Sequence, residues 1–178
     1  MGVNHPLTLI MTNNWIVALE ADRHYARAVQ ARRELLLVQR KEYASDDLRL
    51  AEALALLGST LLNAQQSLEA ETAMRESLTI RTKKEADAWT TFDAQSMLGA
   101  ALMAQEKYAE AEPFLVTGYE GMKQRQVKIR AEARGRMSEA LERLVQLYDA
   151  TGKKDEAAKR RKELEAAKAA SQKKSGPR

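Results

Sequence analysis

Apolar residues recur along this chain at helical spacing, and they do so in blocks that resemble one another. Leu98-Gly99-Ala100-Ala101-Leu102 is followed, after the polar break Gln105-Glu106-Lys107, by Tyr108-Ala109-Glu110-Ala111-Glu112-Pro113-Phe114-Leu115. Forty-one residues earlier stands Leu57-Gly58-Ser59-Thr60-Leu61 with Ser67-Leu68-Glu69-Ala70. Ile16-Val17-Ala18-Leu19 with Tyr25-Ala26-Arg27-Ala28 comes before it, and Leu144-Val145-Gln146-Leu147-Tyr148 with Lys154-Asp155-Glu156-Ala157 closes the series. Each block predicts a helix, a tight turn and a second, antiparallel helix.

In every block a residue of the first helix stands twelve before an alanine of the second: Gly58 to Ala70, Gly99 to Ala111 and, with larger stand-ins, Ile16 to Ala28 and Val145 to Ala157. Two helices approach closely only where side chains are small. A glycine in mid-helix costs roughly 0.5–1 kcal/mol relative to alanine, so its return at one register marks a packing demand. Leu57, Leu61, Leu98 and Leu102 flank the glycines, and Met74, Phe114 and Leu115 arrive from the second helices. The pattern predicts four helix pairs, at about 6–43, 46–84, 86–126 and 128–170, with a disordered basic tail at 171–178. Ser45-Asp46-Asp47 supplies N-cap oxygens for the second pair, and Gly152 reads as a C-cap. Pro113, about six residues into its helix, predicts a small kink or a 3₁₀ first turn. Residues 127–137, which lengthen the last period, read as a loop or as extra turns.

The small residue, the alanine and a further small residue seven beyond it (Ser77, Gly118) resemble the eighth, twentieth and twenty-seventh positions of the tetratricopeptide repeat. The alanines are 42, 41 and 46 apart, longer than the usual repeat, and this form resembles the kinesin light chain type. His5-Pro6-Leu7-Thr8-Leu9 with Asn13-Asn14, and Glu110-Ala111-Glu112-Pro113, are similar to that subtype's helix starts. The resemblance covers about residues 5 to 165 and implies an all-α, right-handed superhelical solenoid of four antiparallel pairs, residues 1–170, acting as a protein-interaction scaffold. Residues 1–6 resemble the connector between two repeats, which is the basis for a second expectation: a detached C-terminal interaction region of a larger bacterial signalling protein such as a serine/threonine kinase. Self-association through the first helix pair is a further expectation.

Composition sharpens this picture. Of 178 residues 44% are hydrophobic, 5% aromatic and 30% charged, with three prolines, which suits a nearly all-helical chain. No apolar run approaches the ~20 residues of a bilayer span, and no basic stretch precedes the short apolar run at the start, so a cytoplasmic location is expected. The absence of cysteine excludes disulfides, thiolate metal sites and a cysteine nucleophile. His5 and His24 lie too far apart in sequence to suggest a metal site, and no nucleophile–base spacing or glycine-rich phosphate loop is present. Neither catalysis, a metal nor a cofactor is implied.

The net charge of +4 is a property of the C-terminus: from Thr151 onward ten Lys/Arg stand against four Asp/Glu, leaving −2 for residues 1–150. Lys159-Arg160-Arg161-Lys162 suggests nucleic acid as an alternative partner, but no aromatic interleaves it to stack on bases, and a solvated cap helix is the preferred reading.

The resemblance implies a peptide groove lined by positions 2, 5, 9 and 12 of each first helix. These are Ile10, Asn13, Val17 and Glu20; Glu52, Ala55, Ser59 and Leu62; Asp93, Ser96, Ala100 and Met103; Glu139, Glu142, Gln146 and Asp149. None is basic, which speaks against the carboxylate clamps of that family. A mildly apolar groove with an acidic exit predicts a peptide or helix that is apolar with a basic end.

Overall fold

The structure, a computed structural model, describes residues 6–130 and 133–174, with side chains over 8–130 and 133–169. Among the described residues helix accounts for 84%, in eight α-helices with no strand. They form two units, one ending at Ala86 and one starting at Asp87. The first holds α1 (Pro6–Ala21), α2 (Tyr25–Glu42), α3 (Leu48–Asn63) and α4 (Ser67–Glu85). The second holds α5 (Trp89–Met103), α6 (Tyr108–Gln124), a 3₁₀ turn (Gln126–Lys128), α7 (Gly135–Ala150) and α8 (Lys154–Lys174). Each unit is therefore two antiparallel helix pairs.

One turn closes all four pairs. The backbone N–H of His24, Gln66, Lys107 and Lys153 donates to the carbonyl five residues back, on Leu19, Leu61, Leu102 and Tyr148, at 2.8, 2.9, 3.0 and 2.9 Å. The residue just before each donor takes a left-handed conformation: Arg23, Gln65, Glu106 and Gly152, with φ of 58°, 60°, 60° and 72°. This double-bonded ending satisfies carbonyls that a helix C-terminus otherwise leaves free. Only the last instance carries the glycine that the conformation favours.

Packing follows the small-residue register. Ala28, Ala70, Ala111 and Ala157 are all 0% exposed, and Ile16, Gly58 and Gly99 are buried, while Val145 is half-buried. The glycines, however, face the residue one helical turn beyond the alanine. A Cβ on Gly58 would stand 2.8 Å from Met74 Cγ, and one on Gly99 would stand 2.6 Å from Leu115 Cγ. The tightest approach of backbone to backbone is at the third small position. A Cβ on Gly118 would lie 2.6 Å from the Ser96 nitrogen and 2.7 Å from the Phe92 carbonyl oxygen. Ser77, its counterpart in the first unit, is buried and donates its hydroxyl to the Ala51 carbonyl at 2.7 Å.

Two boundaries differ from the sequence reading. The fourth pair begins at Gly135 rather than near 128: Gln126–Lys128 form a 3₁₀ turn, and the buried Ile129 after it is in extended backbone. Helix α8 continues to Lys174 through residues expected in the disordered tail, since nothing from Ser171 to Lys174 opposes a helix. Helix α6 is α-helical from Tyr108 and holds Pro113 within it, so the 3₁₀ first turn, one of the two alternatives expected there, is not formed. The connector at residues 1–5 and the end of the tail at 175–178 lie outside the described residues.

Asp47 is the N-cap of α3, its Oδ1 accepting from the Arg49 N–H at 2.8 Å. Hydrogen bonds from the Arg49 side chain and backbone hold its carboxyl at about 2. Asp46, hydrogen-bonded by Lys83 and Lys84 of α4, is also held at about 2. Both values lie below the ordinary 3.8, so the stabilisation is complete above about pH 4 and is lost as pH falls toward 2. An acid titration of thermal stability for the parent and for Asp46→Asn/Asp47→Asn should show the variant with the shallower loss in that window.

Candidate functional site

In the first unit α1, α2 and α3 enclose an opening of about 180 Å³. Leu9, Leu35, Ala53 and Leu56 give it apolar walls, and Asn13, Arg32, Gln39 and Glu52 a polar lining. Arg32, on α2, is 6% exposed and ties the three helices together. Its Nη1 donates to Asn13 Oδ1 at 2.9 Å and its Nε to Thr60 Oγ1 at 3.2 Å, while Nη2 lies 3.5 Å from Glu20 Oε1. Thr60 in turn donates its hydroxyl to Glu20. Burial pushes the Arg32 guanidinium below its ordinary value, and Glu20 and Glu52 oppose the shift. The Gln39 carbonyl oxygen is buried without a hydrogen-bond partner among the described residues.

Of the expected groove positions in this unit, Asn13 and Glu52 line the opening, and Glu20 joins it through Arg32. Ile10 and Val17 are 55% and 54% exposed beside Asn13 on α1. Ala55, Ser59 and Leu62 are half-buried on α3. Glu52 is ion-paired with the buried Arg81 of α4 at 2.6 Å.

The second unit departs further from expectation. Ser96 is 0% exposed and Ala100 9%, so neither offers a surface to a peptide. The close approach at Gly118 covers Ser96, and its hydroxyl accepts from Arg143 Nη1 at 3.1 Å. Asp93 and Met103 are half-buried and Gln146 is exposed. The acidic exit is neutralised within the unit. Glu139 pairs with Arg136 and Arg143, Glu142 with Lys168 at 2.8 Å, and Asp149 with Arg161 at 2.6 Å. Burial lowers the Arg143 guanidinium pKa, with Asp93 and Glu139 opposing.

Counting charges on four positions of each first helix missed these arginines, because Arg32, Arg81 and Arg161 come from second helices and Arg143 from another face of α7. A signal for Arg32 was present. Four residues beyond the repeat alanine stand Met74 and Leu115 opposite glycines, but Arg32 and Arg161 where the facing register holds Ile16 and Val145. A bulky residue at the crossing fills the space, and a long polar chain replaces the apolar one.

The basic run on α8 is partly spent in the same way. Arg160 pairs with Glu120 and Glu163, and Arg161 with Asp149. Among the described residues no group of side chains suits a metal ion, and no helix is long and apolar enough to cross a membrane. His24 sits in the turn before α2, and His5 lies outside the described residues.

No protein-family model and no curated protein matches the chain. Solved structures are similar to it. The nearly identical TPR-like repeats of a Podosopora anserina protein described as a kinesin light chain superpose with a TM-score of 0.68, at 20% identity over 97% of this chain and 80% of that one. A single-site variant of those repeats gives 0.71 at the same identity and coverage. BtubC (BKLC) from P. vanneervenii gives 0.58 at 13% identity, over 92% of this chain and 81% of that one. With its four alanine-registered helix pairs and their common turn, the chain has the fold of the TPR-like repeats of kinesin light chains.

Proposed function

We propose that the chain is a non-catalytic protein-interaction scaffold that holds a peptide or helix on its first-helix faces, with the opening between α1, α2 and α3 as an anchoring point. One observation carries this reading: Ile10 and Val17 stand more than half exposed on the same side of α1 as Asn13, beside an opening with apolar walls. An apolar row next to a concavity fits the apolar anchors of an extended or helical ligand. The acids of the second unit already have basic partners within it, so the preferred ligand is apolar, and a basic end adds little.

Peptide-display selection on the parent chain, repeated on Val17→Glu and Ala53→Trp, tests the reading. Val17→Glu places a charge on the row and Ala53→Trp fills the opening. Each is expected to weaken selected peptides by about tenfold or more, the size of an interface hot spot, with circular dichroism unchanged. Selected peptides that bind both variants as they bind the parent would remove the proposal. Alanine at Glu139, Glu142 and Asp149 should leave that binding within about twofold, as exposed ion pairs contribute little.

A further inference from the structure

Helix α1 has a second apolar stripe that the peptide site does not use. At 100° per residue, Met11, Trp15 and Ala18 fall on the side of α1 opposite Asn13 and Glu20, the residues that reach α2 and α3. Met11 is 71% exposed, Trp15 49%, and Ala18 is exposed. No charged residue occurs in α1 before Glu20. Helices α3 and α5 also carry long uncharged runs, but they spend them on the core, with Leu54, Leu57 and Leu61 or Ala94, Met97 and Leu98 buried. Among the described residues only α1 turns such a run outward with large side chains.

On α2, Arg27, Glu34 and Lys41 recur every seven residues and so share one exposed stripe. It lies about a third of a turn round from Arg33 and Arg40, which pair with Glu69 and Glu76 of α4. The alternation of base, acid and base is self-complementary when two copies pair antiparallel with a displacement of one heptad; in full overlap it would set like charge on like. In the displaced pairing, the acid of one copy meets a base of the other on both sides of a two-fold axis.

We propose that a second copy of this chain docks on this face across a two-fold axis, the Met11–Trp15–Ala18 stripes packing together and Glu34 of each copy pairing with a base of the other. A surface that meets its own image must avoid like charges at the axis, and an uncharged stripe flanked by alternating charges does so. The face lies on the opposite side of α1 from Asn13, so its occupation and the peptide site are tested separately.

Sedimentation of the whole chain from micromolar to hundreds of micromolar should show a monomer–dimer equilibrium. Met11→Glu should weaken it by about thirtyfold, the effect of losing a central apolar contact. Glu34→Lys, which turns two attractions into two repulsions, should weaken it by about tenfold. The reversal Arg27→Glu/Glu34→Lys/Lys41→Glu keeps the alternation and should restore it. In a Trp89→Phe background, emission from Trp15 should shift to the blue as the dimer forms. A monomer throughout the range overturns the proposal. So does an assembly that Met11→Glu leaves intact, or one that Glu34→Lys weakens and the triple reversal fails to restore.

Discussion

Gly118→Ala should cost about 3 kcal/mol, lowering the melting temperature by about 6–12 °C for a chain of this size. A methyl group there would stand 2.6 Å from the Ser96 nitrogen and 2.7 Å from the Phe92 carbonyl oxygen, both backbone atoms of α5. Backbone cannot rotate aside as a side chain can, so α5 and α6 must separate, and the buried contacts of Leu98, Leu102, Leu115 and Met122 loosen with them. Two other glycines serve as controls. Gly58→Ala meets Met74, whose flexible side chain can yield, so its cost should be smaller. Gly135→Ala, with nothing within 4 Å of its Cβ, should be neutral or stabilising by up to about 1 kcal/mol through helix propensity. Thermal melts of the three variants that fail to rank Gly118 as the most damaging would refute the packing account.

Removing Arg32 should be similarly costly in the first unit. Arg32→Ala leaves Glu20, Asn13 and Thr60 without their common donor and opens a gap between α1, α2 and α3. Breaking a buried pair by deleting one partner costs about 3–5 kcal/mol; Glu20, with its side chain 23% exposed, keeps some hydration, which favours the lower end. Arg32→Met/Glu20→Gln, which removes both charges together, should recover at least half of the loss. Urea unfolding of the single and double variants measures the difference. Equal destabilisation of the two would mean that the guanidinium acts by packing alone.

The sequence carried the architecture further than it carried the site. The four helix pairs were legible in the recurring apolar blocks, and the alanine of each second helix is 0% exposed, but two of the four facing positions hold Ile16 and Val145, so small residues alone do not set every crossing. The turns were less legible. Arg23, Gln65 and Glu106 hold left-handed positions where glycine would have announced itself, and only Gly152 did. The groove was read one helix at a time, which hid contributions from the other helix of each pair. Ser96 looked accessible by register, yet Gly118 draws α6 down onto it. Glu142 and Asp149 looked like free charge until Lys168 and Arg161 arrived from α8. Side chains that reach across from a second element are set by the packing angle, which no periodicity in a single helix records.

In both units, helices meet partners that are next or next but one along the chain, from the α1–α2 pair to the ion pairs that link α6 to α8. Little entropy is lost in closing such short loops, so each unit can start to order at any hairpin and reach its native form within roughly microseconds to milliseconds. Deleting a whole pair should then lower stability far more than it changes the rate at which the remainder forms.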